Sequence, residues 1–566
     1  MKNHLLILLI CSFSYYSFGQ FKESQAIDNI FSEWNKPDVP GCALGIIKDG
    51  KLIYSKGYGI ADLEHDVAIT PSSVFGIGSI TKHFVAFSIL LLEEKGKLSI
   101  DENIQKYLSD FPEYDAKITI RHLLYHTDGI RDYGSLKYFK GISGLNHTDS
   151  DEAYELIKKQ KGLNCVPGKE FVYGNSGHFL LVRIVEKASG QSFRLFTQEH
   201  IFGPLGMKST FFKDNNTDLI KNRAYSYSIK NGEKGYNNII NRNVHVGGGG
   251  LRTTIEDLVK WDQNFYTNKL GKGEQLIIQK MHKEGQLNNG ESTGRPLGLQ
   301  IRNYKGLKVV GSAGSGFGYK AQLMRFPDEN FSVIILANRG DANPTKMAYQ
   351  VADILLKSTF QSDSNKAKIK KDSWANANSL KEFTLKQLTG DYEVVPGRAV
   401  EVSIKNGMLH VFQKWDKAAY PVVNTIGNTY EIPNYSAMQL AFSDLEDSFT
   451  QKIKISLNGN KFIFKRKEKV AISTPNLDDY TGDFYSYELD ASFLLYEDGG
   501  ALYVKIVNED PMKLSLYEYC NDAFYFDDDL LRFNKSNGVI VGFELDAGRA
   551  NKLKFEKVKN KLLKNN

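Results

Sequence analysis

The sequence predicts a multidomain protein in which an α/β domain, an antiparallel sheet flanked by helices, precedes two small antiparallel β-barrels. At 566 residues the chain is too long for one compact core. Strand-like patterns open and close its first part with helical patterns between them, and its last part alternates short strands with Gly, Asn and Asp turns. The predicted boundaries are a signal peptide at residues 1–19, the α/β domain at 20–360, a linker at 361–379, and β modules at 380–468 and 474–560.

The opening segment, "MKNHLLILLICSFSYYSFGQ", has the order of a secretory signal. A basic residue precedes an apolar run from Leu5, and small residues lead to a cleavage site after Gly19. The run is too short for a membrane span. Ile10 precedes Cys11 where a lipoprotein signal needs a small residue, so no lipid anchor is expected. We therefore expect an exported protein, periplasmic or secreted.

Composition excludes some classes of partner. The net charge of +6 comes from 72 basic and 66 acidic residues, with no long basic run that could follow a phosphate backbone. The cluster "KAKIKK" at 366–371 lies in a Ser- and Asn-rich stretch and is interpreted as part of a solvated linker. Cys42, Cys165 and Cys520 are too few and too widely spaced for a disulfide framework. Nucleic acid is not an expected partner.

Within the α/β domain, a hairpin is predicted at 42–57 around Asp49-Gly50. A buried helix is predicted from Ser79 to Glu94, ending before Gly96. Further helices are predicted at 119–126, 150–160, 176–189, 254–266 and 344–358, and strands at 307–312, 319–326 and 331–337. Strands at both ends of the domain indicate one sheet with non-local pairing.

The last part of the chain contains an internal repeat. "TGDY" at 389–392 recurs as "TGDF" at 481–484, and a turn glycine, Gly407 or Gly499, follows at the same spacing in each copy. Two copies of about 90 residues suit two closed antiparallel modules better than a solenoid, which needs shorter and more numerous units.

"FGIGSITKHF", residues 75–84, places Ser79 and Lys82 one helical turn apart. This spacing puts both side chains on one face, where an amine can accept the proton of a serine nucleophile. The alternative is a serine N-cap with an exposed lysine. The run from Phe84 to Leu92 is so apolar that the helix must be buried, which favours the catalytic interpretation.

Two more segments could complete a site. "PGKEFVYGNSGHFLL", 167–181, places Tyr173 and Asn175 on a tight turn before a buried helix, and "GSAGSGFGYKAQLMRFP", 311–327, is a small-residue strand that a ligand can approach closely. The alternative for Tyr173 is an aromatic side chain packed in the core, and the alternative for 311–327 is a glycine-rich hairpin without a ligand. His122 and His126 share a helix face, but no Glu follows His122 as in a zinc-binding H-E-x-x-H, so no metal or other cofactor is expected.

Together these motifs resemble the serine β-lactamase and penicillin-binding-protein superfamily, in its class C-like branch with D-aminopeptidases, D,D-carboxypeptidases and esterases. The resemblance spans residues 38–360, and "TIRHLLYHTDGIRDY", "FGPLGMKST" and "FPDENFSVIILANRGDANP" add to it. It implies a β-lactamase-like α/β domain with a helical subdomain. The C-terminal repeats resemble the lipocalin-like barrels of D-aminopeptidase-like members, which in that branch can reach over the catalytic pocket.

The resemblance also implies roles for particular residues. Ser79 matches the acylated nucleophile, Lys82 its base partner, Tyr173 the residue that exchanges protons, and Asn175 the side chain that orients the substrate amide. The backbone N–H groups of Ser79 and Ser315 match the oxyanion hole. Acylation of Ser79 followed by hydrolysis is the implied mechanism.

One departure from the family concerns Ser312-Ala313-Gly314, where the family has Lys or His, a small residue and Gly. Ser312 cannot supply the cation that helps bind the carboxylate of penicillins and of D-alanine peptides. An ester, or an amide recognised through a free amine or an apolar group, fits better.

We therefore expect an exported serine hydrolase acting on a small-molecule or peptide substrate, with cell-wall fragments as one class. The alternatives are a D,D-carboxypeptidase or β-lactamase, and a non-catalytic binding protein on the same scaffold.

Overall fold

The computed structural model describes residues 22–360 and 383–558, except 416, 434, 447, 458–459 and 473. The expected signal peptide at 1–19 and the linker at 361–379, with its "KAKIKK" cluster, lie outside the described residues. Among the helices described, none has the length and apolar character needed to cross a membrane. The domain boundaries drawn from the sequence remain predictions.

A six-stranded antiparallel sheet is the centre of the first domain, as the sequence predicts. The predicted hairpin is present, and its first strand also pairs with a strand from the far end of the domain, Cys42 opposite Ala337. In spatial order the strands are Gln300–Tyr304, Leu307–Gly316, Tyr319–Phe326, Phe331–Ala337, Cys42–Lys48 and Lys51–Tyr58.

Helices cover both faces of this sheet, which explains why its central strands are apolar on both sides. Ala43 and Ile47 belong to the core under the helix Thr81–Glu94, whereas Leu44 and Ile46 belong to the core of the opposite face. The helices of this domain are Ser24–Ile30, Thr81–Glu94, Ile120–Leu124, Tyr133–Phe139, Ser150–Lys158, Ser176–Ser189, Phe193–Thr197, Gly203–Leu205, Ile255–Asn264, Leu276–His282 and Pro344–Leu355. Short strands complete it at Ile60–Asp62, Val67–Ala68, Phe75–Gly76, Phe211–Phe212, Tyr227–Ile229, Tyr236–Asn238 and Leu251–Thr253.

The first C-terminal module is a closed eight-stranded barrel that follows a short helix, Leu385–Leu388. The repeat motif "TGDY" leads into its first strand, and Gly407 turns the chain with φ +76°. Its strands are Gly390–Val395, Arg398–Lys405, Met408–Gln413, Ala418–Ile426, Thr429–Ile432, Tyr435–Glu446, Phe449–Leu457 and Asn460–Lys467.

The second module is a nearly closed sheet of nine strand segments. Met512–Lys513 and Ser515–Leu516 lie at its two ends but are adjacent in sequence, so one interrupted strand brings the ends together. The other segments are Gly482–Ser486, Ala491–Asp498, Ala501–Ile506, Ala523–Phe526, Asp529–Ser536, Val539–Ala547 and Ala550–Val558.

Aromatic side chains fill the interior of this second barrel. Phe543 lies at the centre, with ring centroids 4.7 Å from Phe555, 5.1 Å from Phe484 and 5.4 Å from Phe533. The same core continues into the first domain through Leu136, Phe139 and Leu156. The second barrel is therefore packed against the first domain through apolar surface.

Polar contacts join the two barrels to each other. Lys414 donates to Asp391 of the first barrel at 2.8 Å and to Glu518 of the second at 2.6 Å. Tyr519 also donates to Asp391, at 2.9 Å.

Candidate active site

Ser79 lies in a 3-10 turn, Gly78–Ile80, immediately before the buried helix Thr81–Glu94. The sequence places the helix start at Ser79, but the turn precedes it, because Gly78 takes φ +50° and redirects the chain. The turn still leaves Ser79 close to Lys82, whose Nζ donates to Ser79 Oγ at 3.2 Å.

Lys82 is 1% exposed, so its charge depends on nearby polar groups. Besides Ser79, its Nζ donates to Asn175 Oδ1 at 2.9 Å and to the carbonyl O of Gly248 at 3.0 Å. Three acceptors match the three N–H bonds of an ammonium group. The "GGGG" segment at 247–250 thus contributes a backbone ligand to the lysine.

Tyr173 comes from the loop before the helix Ser176–Ser189, and its hydroxyl donates to Ser79 Oγ at 2.8 Å. Its ring lies 4.9 Å from Lys82 Nζ. Burial alone would raise the pKa of Tyr173, but the charge of Lys82, the close polar contacts with Lys82 and Ser79, and the charge of Arg549 together lower it. The site therefore favours the phenolate more than water does.

Asp132, which the sequence reasoning missed, holds the loop that carries Tyr173 and Asn175. Its carboxylate accepts the backbone N–H of Asn175 and also those of Gly134 and Ser135, so it caps the helix Tyr133–Phe139. Asp is a preferred N-cap residue, so Asp132 could have been identified as a cap from the sequence, but its contact with Asn175 could not.

The strand Leu307–Gly316 forms the opposite wall of the site. A Cβ added at Gly314 would lie 1.9 Å from the carbonyl O of Ile77 and 3.1 Å from Ser79 N, and one added at Gly78 would lie 2.5 Å from Ser315 N. Both positions must be glycine for the strand edge to approach the serine turn this closely. That approach brings the N–H groups of Ser79 and Ser315 to the same part of the pocket.

These groups line one cavity of about 940 Å³. Ser79, Lys82, Tyr173, Asn175, Ser312, Gly314 and Ser315 all contribute to its lining. Ser312 is 6% exposed, and its hydroxyl makes a long contact of 3.4 Å with the carbonyl O of Ala313. The structure thus brings together every site residue named from the sequence.

Two stacked histidines, His126 and His178, lie beside Tyr173, and His126 contacts its ring. The His126 ring lies 4.6 Å from the ring of Tyr173 and 4.7 Å from that of His178. Burial lowers the pKa of both imidazoles well below its usual range, so both are neutral. His122 points elsewhere: its Nδ1 accepts the backbone N–H of Thr119 in a capping box.

A serine hydroxyl bonded to both a lysine and a tyrosine, on a sheet with helices on both faces, is characteristic of serine hydrolases with an S-x-x-K motif. The chain belongs to the Beta-lactamase family, whose sequence pattern matches residues 27–356. This family of serine hydrolases includes D-aminopeptidases and penicillin-binding proteins.

Individual relatives are similar over different shares of the chain. Penicillin-binding protein 4* of Bacillus subtilis (strain 168) is 28% identical over 382 residues, which are 64% of this chain and 81% of that protein. D-aminopeptidase of Brucella anthropi is 26% identical over 322 residues, 56% of this chain and 59% of that protein. Among solved structures, an octameric penicillin-binding protein homologue from Pyrococcus abyssi matches with a TM-score of 0.53 and 25% identity, over 78% of this chain and 99% of that one.

Proposed function

We propose that the protein is an exported serine hydrolase that forms an acyl-enzyme on Ser79 and cleaves an ester or an amide bond. One observation carries the proposal: Tyr173 and Lys82 both donate to Ser79 Oγ, at 2.8 and 3.2 Å, inside a cavity large enough for a substrate. These distances put a phenol and an amine within reach of the serine proton, and a serine becomes a nucleophile when a neighbouring group in its basic form accepts that proton.

In the proposed acylation, Tyr173 acts as its phenolate and takes the proton of Ser79. Lys82 acts in this proposal through its positive charge, which stabilises the phenolate, while its Nζ contacts Ser79, Asn175 and Gly248. The lysine is then the group that makes the tyrosine a base, rather than the base itself. Tyr173 returns the proton to the leaving group as the bond breaks.

Negative charge develops on the carbonyl oxygen as Ser79 attacks. The N–H groups of Ser79 and Ser315 are proposed to hold this oxygen, and such donors each contribute about 3 kcal/mol to the transition state. A water molecule then attacks the acyl group, with Tyr173 again accepting a proton, and frees Ser79.

Ser312 bears on the choice of substrate. It offers a hydroxyl where the family has a cation, which disfavours the D,D-carboxypeptidase and β-lactamase alternatives. The similarity to a D-aminopeptidase supports an amide substrate, and an ester is the simplest test substrate for the same acyl transfer.

Covalent labelling tests the proposal directly. Incubation with a fluorophosphonate, followed by intact mass measurement, should add one adduct to the wild type and none to Ser79→Ala. Ser88→Ala is the matched control, because Ser88 lies on the same helix and donates only to the carbonyl O of Phe84. It should label as the wild type does.

Absence of an adduct on the wild type, together with no turnover of p-nitrophenyl butyrate or D-alanine p-nitroanilide, would instead support a non-catalytic binding protein. Export is tested separately by the mass of the protein recovered from its native host, which should lack residues 1–19.

A further inference from the structure

The charge of the catalytic cavity is strongly positive. Among the described residues that line it, one carboxylate is present, that of Asp341, and Arg339 pairs with it at 2.6 Å. The lining cations are Lys82, Lys213, Arg252, Arg295, Lys320 and Arg549. A cavity with this balance attracts anions and repels a free ammonium group.

Arg549 reaches this cavity from the second barrel, although the catalytic residues belong to the first domain. It occupies the turn between the strands Val539–Ala547 and Ala550–Val558. Its carbonyl O accepts the N–H of Asp132 at 2.8 Å and the side-chain amide of Asn164 at 3.0 Å. The backbone of this turn is therefore fixed to the catalytic domain.

A buried ion pair reinforces the same contact. Arg131 is 2% exposed and donates to Glu488 at 2.7 Å, to the carbonyl O of Asn551 at 2.8 Å and to that of Lys552 at 2.6 Å. The turn that carries Arg549 is thus held on both sides, so the interface fixes the backbone from which the Arg549 side chain extends.

The Arg549 guanidinium lies 5.0 Å from the centre of the Tyr173 ring. Arg295 approaches from the catalytic domain, 5.9 Å from the ring of Phe171. Arg295, Arg549 and His126 line the same cavity. Burial, followed by the charges of Lys82 and of the two arginines, lowers the pKa of His126. Among the described residues that line the cavity, the one carboxylate belongs to Asp341 and pairs with Arg339, not with either of these arginines.

We propose that Arg549, together with Arg295, recognises a carboxylate on the leaving group of the substrate. The inference rests on the proposed hydrolase function. Because Tyr173 gives its proton to the leaving atom, the leaving group must pass beside the Tyr173 ring, where Arg549 stands. A guanidinium without a partner binds a carboxylate through two parallel hydrogen bonds.

This assignment explains how the site can lack the family cation at Ser312. The positive charge of Arg549 comes from the second barrel and not from the strand that carries Ser312. The carboxylate of the substrate would therefore bind at a different place from the carboxylate of a penicillin. The preferred substrate class is an ester or amide whose leaving group is an acid, such as a hydroxy acid or the carboxyl-terminal part of a peptide.

Two esters that differ only in charge test the proposal: 3-(butyryloxy)benzoate and 3-(butyryloxy)benzamide. We expect Arg549→Met to lower kcat/KM for the benzoate by about 10- to 100-fold, the effect of one charge-assisted hydrogen bond. Its kcat/KM for the benzamide should fall by less, because that ester loses only the contribution of the Arg549 charge to the lowered pKa of Tyr173, which both esters share. The ratio of the two kcat/KM values therefore measures the recognition of the carboxylate. Arg549→Lys should keep part of the preference for the benzoate over the benzamide, since lysine keeps the positive charge but lacks the two parallel N–H donors of the guanidinium.

Lys554→Met is the matched control. Lys554 is exposed on the strand that follows the turn, so this variant removes the same charge from the same hairpin without touching the cavity. It should leave both esters unaffected.

The kcat/KM values of the variants on the two esters distinguish the possible explanations. Equal losses on both esters in Arg549→Met, or no loss on either, overturns the recognition of a carboxylate. If Lys554→Met reduces the preference for the benzoate over the benzamide as much as Arg549→Met does, the preference comes from long-range attraction by positive charge. That result also overturns the recognition of a carboxylate by Arg549. Failure of the wild type to hydrolyse either ester, with Ser79 unlabelled, refutes the hydrolase itself.

Discussion

Replacing Arg131 with Met should destabilise the contact between the second barrel and the catalytic domain. Among the described residues, the change leaves the carboxylate of Glu488, which is 7% exposed, with the backbone N–H groups of Lys161 and Lys554 as its hydrogen-bond donors, at 3.0 and 3.3 Å. It also leaves the carbonyls of Asn551 and Lys552 without their guanidinium donor. Removing one partner of a buried ion pair costs about 3–5 kcal/mol.

Differential scanning calorimetry measures this cost. For a module of this size, 1 kcal/mol shifts Tm by about 4–8 °C, so the barrel transition should fall by on the order of 10 °C or more. Arg183→Met is the control, because Arg183 pairs at 2.8 Å with Asp151, whose side chain is 83% exposed, and such a pair contributes less than about 1 kcal/mol.

The double variant Arg131→Met with Glu488→Met provides the decisive comparison. It removes both charges, and an apolar pair of similar volume often replaces a buried ion pair at little cost. We expect it to recover at least half of the lost stability. A double variant no more stable than Arg131→Met, or a single variant no worse than Arg183→Met, would refute the reasoning.

Three further predictions concern the catalytic cavity. Because Tyr173 must lose its proton to act as the proposed base, kcat/KM should fall with decreasing pH, through a midpoint below the value of 10 that is ordinary for tyrosine. The pH profile of Tyr173→Phe should lack this fall, and a fall that persists in the variant would exclude Tyr173 as the base. Ser312→Lys should speed acylation by benzylpenicillin about tenfold or more, because the added cation forms a charge-assisted hydrogen bond with the carboxylate of the penicillin. Intact mass measured over time gives the acylation rate. An unchanged rate would contradict the argument that the missing cation at position 312 disfavours penicillins. Gly314→Ala should lower kcat about 100-fold or more by displacing an oxyanion-hole donor, because its Cβ would meet the Ile77 carbonyl. Gly316→Ala, where a Cβ meets nothing within 4 Å, is its control on the same strand, and equal activity of the two variants would refute the close-approach argument.

Local signals account for the parts of the fold that the sequence predicts well. The helix predicted at 176–189 has those bounds, because a tight turn precedes it and Gly190 ends it with φ +75°. The helix expected at 254–266 is Ile255–Asn264, and Thr254 caps it as a β-region threonine does. Periodicity and caps act over one or two turns, so the sequence shows them directly.

Features that depend on distant pairing could not be predicted in the same way. The sequence suggests Ser79, Lys82, Tyr173 and Asn175 as a set through family resemblance, and the structure brings them together, but no local pattern indicates that Asp132 holds Asn175. Arg549 and Asn164 are 385 residues apart and still share a hydrogen bond. An arginine in a surface hairpin gives no sign of its destination, because what fixes it is the docking of a whole barrel.

The origin of Arg549 in a late hairpin also ties the proposed selectivity to the second barrel. Arg549 directly precedes the strand Ala550–Val558, which pairs with Gly482–Ser486, and Leu136 and Phe139 of the first domain belong to the core of this barrel. Ser79, Lys82 and Tyr173 all belong to the first domain. Removing the last strand would therefore leave these three residues in the chain but would take away the proposed partner of the substrate carboxylate.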